Sequence, residues 1–283
     1  MPERKDRQME SNSFNKKSLR KTITKWGIAF KILPLVILVA ILKFLSHRFG
    51  FEVMELNALF TSLVAGTIFL IGFLVSGVLT DYKESEKIPS ELTASLRALL
   101  DDTITIDKGK DAAAAKQFIL FQRNFTQSLL NWFNKKERTK IILNQISSMN
   151  DYIVALEKEG IQANYLIKLK NEQTNIRKYL LRIDTIRDTN FVGSAYAILE
   201  AMGFLTVIGL ILIKIEPFYA SLFLTLLITF LFSYMFMLIK DLDNPFDYAD
   251  SGESGTEISL KPIHDFEEEM QSVCQKNEGQ EAK

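Results

Sequence analysis

Apolar residues along this chain gather into four long blocks divided by charged stretches. A bilayer core about 30 Å thick takes about 20 helical residues to cross. Residues 27–46, 57–80, 194–213 and 218–239 each reach that length. The second and fourth blocks carry no charge, and the third carries a single acid, Glu200. The first holds Lys31 and Lys43 near its ends, where long stems are expected to snorkel to the interface. A water-soluble core helix is rarely apolar all round over such a length. The pattern predicts an all-α membrane protein with four transmembrane helices in two hairpins. The first block has the basic flank of a secretory leader. It is too long for one and no small-residue cleavage site follows, so it is expected to remain as a span.

Between the hairpins, residues 81–193 change period. Pro89 sits where a first-turn proline belongs, and SELTASLRALL follows at helical spacing. A second helix is expected from about Asp111, with Phe118, Phe121, Phe125, Leu129 and Trp132 on one broad face. A third covers about 138–159 and stops at Gly160, a residue suited to a left-handed cap. The fourth covers about 161–188, with Ile161, Tyr165, Leu169, Ile176, Leu180, Ile183 and Ile186 at spacings of three, four or seven. A gap in that series at 171–175 predicts a solvated or weakly packed turn. The region reads as a helical bundle with coiled-coil-type packing.

Charge orients the chain. Residues 1–26 carry eight Lys and Arg against three acids, whereas the links at 47–56 and 214–216 are nearly free of cations. The positive-inside rule therefore puts the basic N-terminal segment 1–26, the bundle 81–193 and the acidic tail 241–283 in the cytoplasm of a cell-membrane protein. Residues 16–26 suit an anionic leaflet surface. Residues 1–15 and those beyond about 270 are too polar to order themselves and are expected to be unstructured.

Over the whole chain, 34 Lys and Arg balance 34 Asp and Glu, which excludes a globally basic nucleic-acid binder. One cysteine, Cys274, excludes an internal disulfide, and two histidines, His47 and His264, are too few for a His-rich metal site. His47 reads as a polar helix end. No phosphate-cradling loop, dinucleotide fingerprint or nucleophile elbow occurs. Asp101 with Asp102, and Glu267 to Glu269, read as charged surface. No enzyme, cofactor or metal site is predicted. The expected partners are the lipid bilayer, further copies of the chain and inorganic ions.

The second span is patterned. Ser62, Gly66, Gly72, Ser76 and Gly77 allow helices to approach closely. Ala65, Phe69 and Phe73 recur at four-residue intervals and so form one stripe. That stripe faces either lipid and neighbouring helices of the same subunit, or a common axis, where it would build a hydrophobic neck. After the fourth span comes DLDNPFDY, in which Pro245 ends the helix and pushes Asn244 out of helical geometry, while Phe246 can fold back on the bundle. Glu200 near the start of the third span either reaches the interface or faces a wet path or a neighbouring subunit.

The layout of two spans, a helical region of about 110 residues, two spans and a tail, with FLIGFLVSGVLTDY at 69–82 and the NPF of 244–246, resembles the bestrophin family and more nearly its bestrophin-like membrane-protein relatives. The resemblance implies a pentameric channel for anions such as chloride, with Ala65, Phe69 and Phe73 as the neck. Ala65 stands where the family has a bulkier aliphatic residue, which implies a wider outer ring. The acids that hold calcium in animal bestrophins are scattered here as Asp247, Asp250 and Glu253, too far apart to supply six to eight oxygens. The competing expectation is a non-conducting scaffold or signalling protein whose cytoplasmic domain binds a partner.

Overall fold

The computed structural model describes residues 3–188, 193–248 and 257–281. It forms two compact units.

The first unit contains α1 (Glu3–Phe49), β1 (Met54–Glu55), α2 (Ala58–Ser85) as far as Tyr82, α7 (Gly193–Leu212), β2 (Ile213–Lys214) and α8 (Phe218–Asp243). Stretches of α1, α2, α7 and α8 are long and apolar enough to cross a membrane, as the sequence pattern predicts. The helix of α1 reaches back to Glu3, across residues expected to be unstructured. No Gly or Pro interrupts the stretch from 3 to 26, so nothing in the backbone stops the helix there. Ile71, Leu74 and Val78 of α2 pack with Leu199 of α7 and with Phe232 and Ile239 of α8. A second cluster joins Phe60, Leu210 and Ile213. Apolar contact alone does not hold helices together in lipid, and hydroxyl pairs such as Thr67 Oγ1 with Thr206 Oγ1 at 3.3 Å tie α2 to α7. The two-residue strands pair in parallel, Met54 with Ile213 and Glu55 with Lys214, so the chain emerging from α1 meets the chain emerging from α7.

Phe60 needs the glycine opposite it. A Cβ on Gly209 would lie 2.2 Å from Phe60 Cε2, far inside van der Waals contact. This pairing lets α2 and α7 close around the ring.

The second unit contains α3 (Ile88–Lys110), α4 (Ala113–Phe133), α5 (Thr139–Lys158), α6 (Ala163–Asp188) and α9 (Lys261–Glu281). The bounds of α3 to α6 fall within a few residues of the sequence expectation. Asp111 ends α3 in the left-handed region at φ 48°, and Gly160 is left-handed at φ 77° as its identity predicts. Glu159 accepts a hydrogen bond from the Ala114 amide at 3.0 Å, capping the start of α4. Phe118, Phe125, Leu129 and Trp132 are buried, with Phe121 half-buried and stacked beside them.

Two expectations need correction. No turn interrupts α6 at 171–175. Gln173 is buried, in register between Leu169 and Ile176, and its Nε2 donates to the Ile146 carbonyl. A polar residue continues the core stripe because it brings its own hydrogen bond. The tail beyond 270 is not unstructured either: α9 runs to Glu281 and buries Ile263, Phe266, Met270 and Cys274. Those four recur at spacings of three and four, a narrow apolar stripe in an otherwise acidic segment.

Candidate functional site

The helix α2 carries most of the residues singled out from sequence. At 100° per residue, the buried Thr67, Ile71, Leu74 and Val78 share one face. Ser62, Ala65, Phe69, Gly72, Phe73 and Ser76 lie on the opposite face, and all six are exposed in the single chain. Phe69 is 76% exposed and Phe73 66%. Ser62, Gly72 and Ser76 are thus open in the single chain, whereas the Met202 side chain lies close over Gly66, 3.4 Å from where a Cβ on that glycine would stand. Gly77 is half-buried. On this exposed face the Ser62 hydroxyl stays within the helix, where Oγ donates to the Ala58 carbonyl at 2.8 Å.

Asn244 leaves α8 at φ −124° and ψ 70°, outside helical geometry, as the proline after it requires. In the second unit Phe246 is fully buried, with its ring centroid 6.4 Å from that of Phe133. The Arg187 guanidinium holds this corner. It donates to the carbonyls of Trp132, Phe133 and Phe246 at 3.3, 3.0 and 3.2 Å, and it stacks 4.5 Å from the Trp132 ring centroid. A planar fork with five donors suits the open carbonyls at the end of α4. Burial pushes the Arg187 pKa down, with Tyr248, Asp184, Asp247 and Asp188 opposing it. Asp247 pairs with Lys135 at 2.5 Å. Asp250 and Glu253 lie outside the described residues.

Within the first unit, near the C-terminal end of α1, Lys43 departs from expectation. It does not snorkel to the interface but is fully buried. Its Nζ lies 2.7 Å from Glu52 Oε1 and donates to the Ile213 carbonyl at 2.5 Å, with Ile211 O at 3.4 Å. The last carbonyls of α7 lack intrahelical donors, and an ammonium with three protons satisfies them. Glu52, its side chain 8% exposed, also meets His47 Nδ1 at 2.8 Å, and the His47 ring stacks on Phe218 at 4.0 Å. Burial raises the Glu52 pKa, but the hydrogen bonds from His47 and Lys43 outweigh it and hold the carboxyl below its usual range. This clasp was not read from sequence. Its one available signal was an acid in the short link after a span that ends in a lysine.

No family model matches this chain, and no curated protein matches it. Solved structures do. A bacterial bestrophin homolog from Klebsiella pneumoniae superposes with a TM-score of 0.72 at 16% identity, over 87% of this chain and 98% of that one. A mutant of that homolog gives 0.72 at 17% identity, over 87% and 98%. A crystal structure described only as a membrane protein gives 0.72 at 16%, over 88% and 98%. The fold is bestrophin-like.

Within this bestrophin-like fold Glu200 is not on the α2 stripe. It is exposed and, with Lys31, lines a cavity among α1, α2, α7 and α8.

Proposed function

We propose that the protein is a homo-oligomeric, pentameric ion channel of bestrophin-like type, conducting anions through a hydrophobic neck formed by Ala65, Phe69 and Phe73. The observation that carries this reading is the exposed α2 face, apolar and lined with small residues, in a chain whose fold matches bestrophin homologs. In a ring of copies the two Phe side chains point at the axis. Ser62, Gly72 and Ser76 then let neighbouring α2 helices come close. Ala65 leaves the ring it forms wider than those of Phe69 and Phe73. Such a neck controls passage by excluding water when the rings close, without charged groups. The basic segment 1–26, the cation-poor links between paired spans and the even number of spans support a cell-membrane protein with both termini cytoplasmic.

Liposome flux of the purified protein tests this. Phe69→Ala/Phe73→Ala shortens both side chains, eases hydration of the neck and raises flux. Unchanged flux in a variant that still assembles and reconstitutes overturns the neck. A monomeric or dimeric mass in mild detergent overturns the pore.

A further inference from the structure

The cavity beside α1 has a volume of about 620 Å³, and almost all of its wall is apolar. Its two strongest charges, Lys31 and Glu200, sit at one end. Both α1 and α7 run the same way, and Lys43 Nζ on the carbonyls of Ile211 and Ile213 sets their register. Lys31 lies twelve residues before Lys43, and Glu200 lies eleven before Ile211, so the two charges stand at equal depth. From there the cavity follows α1 to Leu42 and α7 to Ile211. At 1.5 Å per residue each path is about 16 Å long, against about 15 Å for half of a bilayer core. The cavity is one leaflet deep, with charge at the interfacial end and an apolar wall beyond it.

We propose that this cavity binds a glycerophospholipid with an ethanolamine headgroup from the leaflet at the N-terminal end of α1. One acyl chain fills the apolar depth, the phosphate meets Lys31 and the ammonium meets Glu200. An almost wholly apolar wall offers water few hydrogen-bond partners, so in a bilayer a hydrocarbon tail is the matter that fills it. The headgroup follows from the charges. A phosphate alone would leave Glu200 facing an anion, and a quaternary ammonium has no proton to donate to a carboxylate. Lys240 and Asp241 at the end of α8 add one charge of each sign, with Asp241 in electrostatic reach of Lys31. The mouth as a whole therefore suits a zwitterion. The site depends on membrane insertion, not on conduction, so it stands or falls separately from the channel reading.

The test is lipid retention. Wild-type protein in nanodiscs of equal ethanolamine- and glycerol-headed phospholipids is extracted into mild detergent, and the lipid left per protomer is measured by native mass spectrometry. Wild type retains the ethanolamine lipid preferentially. Gly203 lines the cavity, and a Cβ there meets nothing within 4 Å, so Gly203→Phe fills the space without a clash at the backbone. Retention in that variant falls about tenfold or more. Glu200→Gln moves the preference toward the glycerol headgroup, and Lys31→Gln weakens retention of both. Equal retention in Gly203→Phe and wild type, or a wild-type preference for the glycerol headgroup, overturns the proposal. If Gly203→Phe fails to fold, an unchanged headgroup preference in Glu200→Gln overturns it by itself.

Discussion

Removing Glu52 strands a buried cation. In Glu52→Ala, Lys43 stays in a pocket where it is fully buried, with only the Ile211 and Ile213 carbonyls as partners. At 2.7 Å and an effective dielectric of about 20, the lost attraction is on the order of 6 kcal/mol before desolvation is counted. Breaking a buried pair from one side costs about 3–5 kcal/mol in practice. With roughly 2–4 °C per kcal/mol for a chain of this size class, the melting temperature should fall by about 6–20 °C. The assay is thermal retention of the folded, detergent-solubilised protein at pH 7, followed by size-exclusion chromatography. Lys43→Met/Glu52→Met should recover most of the loss, because neither charge is then left buried alone. The sign of the pH effect is set by the lowered Glu52 pKa. Its stabilisation is complete above the ordinary value of 4.5 and is lost as pH falls through the lower native value. Acid melting curves of wild type should therefore drop below pH 4.5 by an amount missing from Glu52→Gln. A Glu52→Ala protein that melts within about 1 °C of wild type would refute this account of the clasp.

Three further outcomes are expected. Gly209→Ala drives a methyl into the Phe60 ring and should destabilise by about 1–3 kcal/mol, with Phe60→Leu in the same chain restoring part of it on a melting curve. Phe246→Ala opens a cavity beside Phe133 and should cost about 3–5 kcal/mol in the same assay, while a surface change at Glu268 should not register. Met270→Asp puts an unpaired acid in the buried stripe of α9, and hydrogen exchange of residues 261–275 should accelerate while that of α5 does not.

Length and hydropathy decided the four spans from sequence alone, because a bilayer demands about 20 apolar residues per crossing whatever they touch. Helical period likewise placed α3 to α6, and local stereochemistry placed the left-handed Gly160 and the non-helical Asn244. Those signals act within a few residues of one another. Partners far apart in sequence decided the rest. Gln173 looks like a break in a stripe until Ile146 supplies its acceptor, and Lys43 looks interfacial until Glu52 and the end of α7 close over it. The acidic average of the tail hid the four apolar residues of α9, which order only against α3 and α4. On α2 the spacing separated two faces, but which one is buried against α7 and α8 was settled by packing. Burial turns on what approaches from elsewhere in the chain, and a linear pattern does not carry that.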